Sequence, residues 1–112
     1  MEKQQLAQIT TDPKVLDEFS KYENWLVRWR VAKNLNTTPE TLDYLSRDKH
    51  WGVRYWVARN FNTLSETLKQ MSVVEEDIDV KYLIKIHPNC SEETWKYLSA
   101  LEILRTLPQV ST

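Results

Sequence analysis

The chain has 112 residues, a formal charge of −1 and a pI near 6.1, which suits one domain with room for a real core and carries no nucleic-acid signature overall. An apolar content of 41% with 28% charged residues argues against disorder and against a membrane class, while leaving room for a local basic patch. The single Cys90 excludes an internal disulfide or multi-cysteine metal site and the single glycine leaves little for phosphate loops, whereas five Trp and five Tyr are many for this length.

Residues 1–23 read as an N-terminal cap. Met1-Glu2-Lys3-Gln4-Gln5 leads into no apolar signal segment and no run reaches transmembrane length, so a cytoplasmic location without a membrane partner is expected. Thr11, Pro13, Leu16 and Phe19 match Thr37, Pro39, Leu42 and Leu45 at a shift of 26, which makes the cap a half-copy of the next unit with one helix near 14–21.

The unit at about 24–49 reads as two helices, near 25–34 and 39–47. The next, at about 50–76, repeats it: Asn24-Trp25-Leu26-Val27-Arg28-Trp29-Arg30-Val31-Ala32-Lys33-Asn34 falls on His50-Trp51-Gly52-Val53-Arg54-Tyr55-Trp56-Val57-Ala58-Arg59-Asn60. Its helices are expected near 51–60 and 65–73. The third unit, at about 77–107, is related by a shift of 27, with Val80, Ile84 and Asn89 following Val53, Val57 and Asn62. Its helices are expected near 78–86 and 91–106. Thr37 with Glu40 and Thr63 with Glu66 fit capping boxes, and Asn34, Asn60 and His87-Pro88 supply stop signals. Cys90 takes the place of Thr37 and Thr63, as a structural substitute for a cap residue. The acidic run from Glu75 to Asp79 is expected to cap a helix N-terminus.

Two stretches, Val27-Arg28-Trp29-Arg30-Val31-Ala32-Lys33-Asn34 and Thr38-Pro39-Glu40-Thr41-Leu42-Asp43-Tyr44-Leu45, resemble the leucine-rich repeat variant and variant HEAT-repeat families. The likeness spans roughly residues 11–98. It implies an all-α fold, a short right-handed α-solenoid of three to four helical hairpins of about 26 residues each. Such repeats place an acidic residue ahead of the arginine, and here Asp48 precedes Arg54 and Glu75 precedes Lys81. The cysteine cluster of some leucine-rich repeat variant proteins is absent, so no iron–sulfur function carries over.

A helical wheel places Val27, Val31 and Leu35 on one face, as it does Val53, Val57 and Phe61, or Val80 and Ile84. Ala32 and Ala58 lie to one side, where a neighbouring unit can approach; Arg30, Trp56 and Leu83 lie to the other. The face opposite the core, concave in a solenoid, carries Trp25, Trp29 and Lys33, then Trp51, Tyr55 and Arg59, then Ile78, Tyr82 and Ile86. Arg28, Arg54 and Lys81 lie at its margin, as partner contacts or as packing that bonds loop carbonyls. Aromatics flanked by bases on a solvated face mark an interaction site. The competing reading is that curvature closes the groove and Trp29 and Tyr55 pack on each other and on Lys and Arg stems. Asn34, Asn36, Asn60, Asn62 and Asn89 read as turn and cap residues, or, more sharply, as a ladder along a bound peptide backbone.

No nucleophile, metal cluster, cofactor loop or paired carboxylates are recognisable, so a non-enzyme without cofactor or metal is expected. The leading function is a protein-interaction module holding a protein or peptide in the aromatic and basic groove. The alternatives are a HEAT-like nucleic-acid-binding module using the same groove, and a small self-associating regulatory subunit. In the last, Trp95, Leu98, Leu101 and Leu104 pack on the third unit while Tyr97, Ala100, Ile103 and Leu107 form a homodimer face, unless the tail after Pro108 covers it.

Overall fold

The computed structural model describes residues 1–108, which form eight α-helices and, among the described residues, no strands. They are α1 (Lys3–Ile9), α2 (Pro13–Phe19), α3 (Trp25–Lys33), α4 (Pro39–Leu45), α5 (Trp51–Arg59), α6 (Ser65–Val74), α7 (Ile78–Ile86) and α8 (Glu92–Thr106). Seven stand where the periodicity predicts them. The eighth, α1, is one that the sequence reading does not contain. Its only buried residue is Ala7, so it has almost no apolar period to read, and it starts with the reciprocal pair in which the Glu2 amide donates to Gln5 Oε1 at 3.1 Å. The cap is therefore a complete hairpin and not a half-copy.

Local signals explain most helix starts. Side chains of Asp12, Asn24, Thr38, Asp77 and Ser91 accept amide hydrogens from the first turns of α2, α3, α4, α7 and α8. Pro13 and Pro39 occupy first-turn positions where the missing N–H costs nothing. The expected capping boxes are displaced by one residue. Thr38 caps α4, while Leu64 stands at the start of α6 and offers no side-chain bond. The Thr37 and Thr63 hydroxyls instead donate to the carbonyls of Val31 and Val57, each at 2.7 Å, and tie the end of one helix to the turn that follows.

The odd-numbered helices pack side by side in chain order, α1 on α3, α3 on α5 and α5 on α7. The even-numbered helices flank them: α2 touches α1 and α3, α4 touches α3 and α5, and α6 touches α7 and α8. Leu16, Leu42, Leu45, Val53, Val57, Leu68, Val80 and Ile84, all at 0% exposure, form one continuous core. The molecule is elongated, 60 × 26 × 16 Å, with a radius of gyration of 15.6 Å against about 13 Å for a compact domain of this length. Leu35 and Phe61 leave the core register: each is 68% exposed, because the helix stops at Asn34 or Asn60 and the wheel stops with it.

Hydrogen bonds that recur with the repeat join the units. The Asn34 amide donates to the carbonyls of Ala7 and Thr10, both at 2.9 Å. Asn60 does the same to Ala32 at 2.9 Å and Asn34 at 3.1 Å. His87 takes this place in the last unit: its Nδ1 accepts from the Asn89 amide, so Nε2 carries the proton and donates to the Asn60 carbonyl at 2.8 Å. Two residues on, Asn62 and Asn89 repeat the device on Leu35 and Phe61. On the second helices, Thr41 donates to Asp17 and Thr67 to Asp43, each at 3.0 Å. Bonds from Lys21 and Thr41 hold the Asp17 carboxyl below its ordinary range.

Lys85 occupies the place of Ala32 and Ala58, which are buried where the following unit packs. Its ammonium bonds Glu102 of α8 at 3.0 Å and lies 5.1 Å from the Trp95 ring.

Candidate functional site

Four-residue spacing puts Trp25, Trp29 and Lys33 on one stripe of α3, and Trp51, Tyr55 and Arg59 on one stripe of α5. Because α3 and α5 lie side by side, the two stripes join. They border a cleft of about 450 Å³ walled by Trp25, Trp29, Trp51, Tyr55 and Trp56, with Asp79 of α7 at its edge.

Half of this aromatic cluster is packed on itself. Trp29 meets Trp56 edge to face with centroids 6.4 Å apart, and Tyr55 meets Trp56 at 5.7 Å, geometries favoured by the ring quadrupole. Lys33 lies 4.7 Å from the Trp56 ring and 5.6 Å from Trp29; Arg59 lies 5.1 Å from Trp56. Trp29, Tyr55 and Trp56 are half-buried in consequence. The other half is open. Trp25 is 38% exposed and Trp51 53%. Trp25 stacks on His50 at 3.8 Å and 8°, and the His50 Nδ1 accepts the Gly52 amide at 3.0 Å. A Cβ on Gly52 would stand 3.1 Å from that imidazole, a tight contact that would press the ring aside by a few tenths of an ångström.

Six of the ten expected site residues thus meet here: Trp25, Trp29, Lys33, Trp51, Tyr55 and Arg59. The other four do not. Tyr82, 58% exposed, and Lys81 border a second cleft of about 450 Å³ between α7 and α8, with Ile78, Leu101, Glu102 and Arg105. Arg28 and Arg54 are structural. Arg28 is 7% exposed, forks onto both Asp48 oxygens at 2.7 and 3.1 Å, and donates to the carbonyls of Tyr22 and Glu23. Arg54 forks onto Glu75 at 2.8 and 3.2 Å and reaches the Asp48 carbonyl. The acid that each arginine meets lies about twenty residues after it, in the loop closing the same unit, and not ahead of it. The Arg28 guanidinium, held by four acceptors in a buried corner, is withdrawn from any partner, and three acceptors engage that of Arg54.

Besides Leu26 and Gly52, sequence reasoning missed three members of the cleft, Trp56, His50 and Asp79. Trp56 sits on the side assigned to packing between units, which it does, while its ring also walls the cleft. His50 reads as a boundary residue, and nothing in its spacing shows the stack on Trp25. Asp79 reads as part of a capping run; Asp77 is the cap, accepting from Asp79 and Val80, while Asp79 lines both this cleft and the one between α7 and α8. Position 79 follows Gly52 by the repeat shift of 27, which is the one signal that could have found it. Of the asparagines, read alternatively as a ladder for a foreign peptide, Asn34, Asn60, Asn62 and Asn89 donate to this chain's own carbonyls and Asn36 donates to the Asn34 side chain.

Cys90 is half-buried and burial pushes its thiol up. On α8, Leu98 is buried and Leu101 partly so, but Trp95 is 48% and Leu104 63% exposed, against the expected packing. Ile103 and Leu107 are exposed, and the tail expected to fold back after Pro108 lies outside the described residues. Among the described residues, no three His, Cys, Asp or Glu side chains gather as metal ligands, and no helix is long and apolar enough to cross a membrane.

No protein-family model, curated protein or solved structure matches this chain. The resemblance to leucine-rich repeat variant and HEAT-like repeats therefore rests on the residues quoted above.

Proposed function

We propose that this chain is a non-catalytic protein-interaction module, a short right-handed α-solenoid of four hairpins that holds a peptide segment of a partner in its aromatic cleft. The side-by-side odd helices and the bonds recurring at the repeat spacing support the solenoid. The observation that carries the binding reading is the open pair Trp25 and Trp51 beside a rigid, self-packed group of rings. Large aromatics held in place by their neighbours lose little freedom on binding, and they are the residue type that anchors interfaces.

The same rings could stack nucleobases, but the charge around them argues for a protein. Asp79 borders the cleft and repels phosphate. Arg28, Arg54 and Lys85, three of the basic residues on the first helices, are engaged by Asp48, Glu75 and Glu102.

Panning a displayed peptide library on the immobilised protein tests this. Enriched peptides should lose at least about tenfold in affinity on Trp25→Ala/Trp51→Ala, as removal of two anchors requires. Their binding should change little with salt. Peptides indifferent to that double variant, or tight single-strand nucleic-acid binding that collapses with salt, would overturn the reading.

A further inference from the structure

Resting on that reading, we infer that the open half of the cleft seats a cationic side chain of the partner, arginine or lysine, and that the basic end takes a carboxylate three or four residues away. The two ends of the aromatic stripe differ in charge. At the N-terminal ends of α3 and α5 stand Trp25 and Trp51, and Asp79, which lines this cleft and also the one between α7 and α8, has no ion pair or side-chain hydrogen bond among the described residues. No lysine or arginine of the described chain lies over either of these two rings, whereas Trp29, Tyr55 and Trp56 already carry Lys33 or Arg59. The negative ring faces and a carboxylate without a counter-ion together favour a cation, and only the self-packed rings have one of their own. His50 adds no positive charge while its Nδ1 accepts from the Gly52 amide.

The opposite end is the complement. Lys33 and Arg59 have no carboxylate partner among the described residues; besides its rings, Arg59 makes one side-chain hydrogen bond, at 3.4 Å to the Tyr55 hydroxyl. Eight helical residues separate Trp51 from Arg59, about 12 Å at 1.5 Å per residue. An extended peptide covers that span in three to four residues, at about 3.3 Å each. The ligand class is thus a short extended segment with a base at one end and an acid at the other, lying over Trp56 and Tyr55. Nucleic acid, with no cation to offer, does not fit it.

Small probes separate this inference from the cleft reading. Blocked arginine amide, titrated into the whole chain with the tryptophan indole N–H signals followed by NMR, should shift Trp25 and Trp51 saturably in the millimolar range. Blocked citrulline amide, the same shape without charge, should not. Asp79→Asn should weaken the arginine response several-fold and Asp79→Lys should abolish it, with the amide spectrum elsewhere unchanged. A blocked peptide with arginine and glutamate four residues apart should bind about tenfold tighter than arginine amide, and Lys33→Glu/Arg59→Glu should remove that gain. Equal responses to citrulline and arginine, indifference to Asp79→Lys, or no response to arginine would overturn the cation seat. Each of these leaves the panning result, with its dependence on Trp25 and Trp51, to judge the cleft by itself.

Discussion

The side-chain amide of Asn60 donates to the carbonyl of Ala32, 28 residues earlier in the chain, at 2.9 Å. Asn34 makes the same bond to Ala7. Through it each unit satisfies carbonyls left open at the end of the first helix of the unit before, a task that water cannot perform in a buried corner.

Asn60→Ala leaves the carbonyls of Ala32 and Asn34 without that donor and should cost about 2–3 kcal/mol of unfolding free energy in denaturant titration. Asn60→Asp should be worse above the carboxylate range than below it. The acid form can still donate, whereas the anion faces two carbonyl oxygens. A variant as stable as the parent at neutral pH would show that the bond contributes nothing net.

Arg28→Ala should cost about 3 kcal/mol, since it strands the Asp48 carboxylate, whose side chain is 7% exposed, without its partner. Arg28→Lys should recover only part, because an ammonium cannot fork onto two oxygens and reach two carbonyls together. Binding to the aromatic cleft should be unchanged in Arg28→Lys. Selective loss of binding without loss of stability would return Arg28 to the site.

Cys90→Thr should stabilise the chain by about 1 kcal/mol. Thr37 and Thr63, at the equivalent places, bond the carbonyls six residues back at 2.7 Å, and threonine here would find that of Ile84. The cysteine sulfur makes only a weak 3.5 Å contact with the Ser91 carbonyl. In the parent chain the raised thiol should alkylate slowly at neutral pH. A melting temperature below that of the parent would refute the equivalence.

Leu68→Ala, at a position with 0% exposure, should cost about 2–5 kcal/mol and keep unfolding a single transition. Leu104→Ala, at 63% exposure, should cost under about 0.5 kcal/mol. The sequence spacing alone would have ranked the two together. Calorimetry on both variants separates burial from periodicity.

The helices from Pro13 onward are legible in the sequence because the apolar period and the capping residues repeat with the unit. The stripe from Trp25 to Arg59 follows from four-residue spacing on two adjacent copies. Periodicity gives a residue's direction from its helix axis and stops where the helix does, so it misplaces Leu35 and Phe61 and misses α1, whose single buried residue has no period. It is also silent about partners. Arg28 and Lys33 share a helix and a charge, yet one is locked onto Asp48 from a loop twenty residues away while the other is left over the cleft. Asp77 and Asp79 divide in the same manner, the first onto amides of its own helix and the second without a side-chain partner among the described residues. Faces and spacings are local properties and can be read along the chain; which charge remains free to meet a ligand depends on contacts between distant segments, and only the folded arrangement decides those.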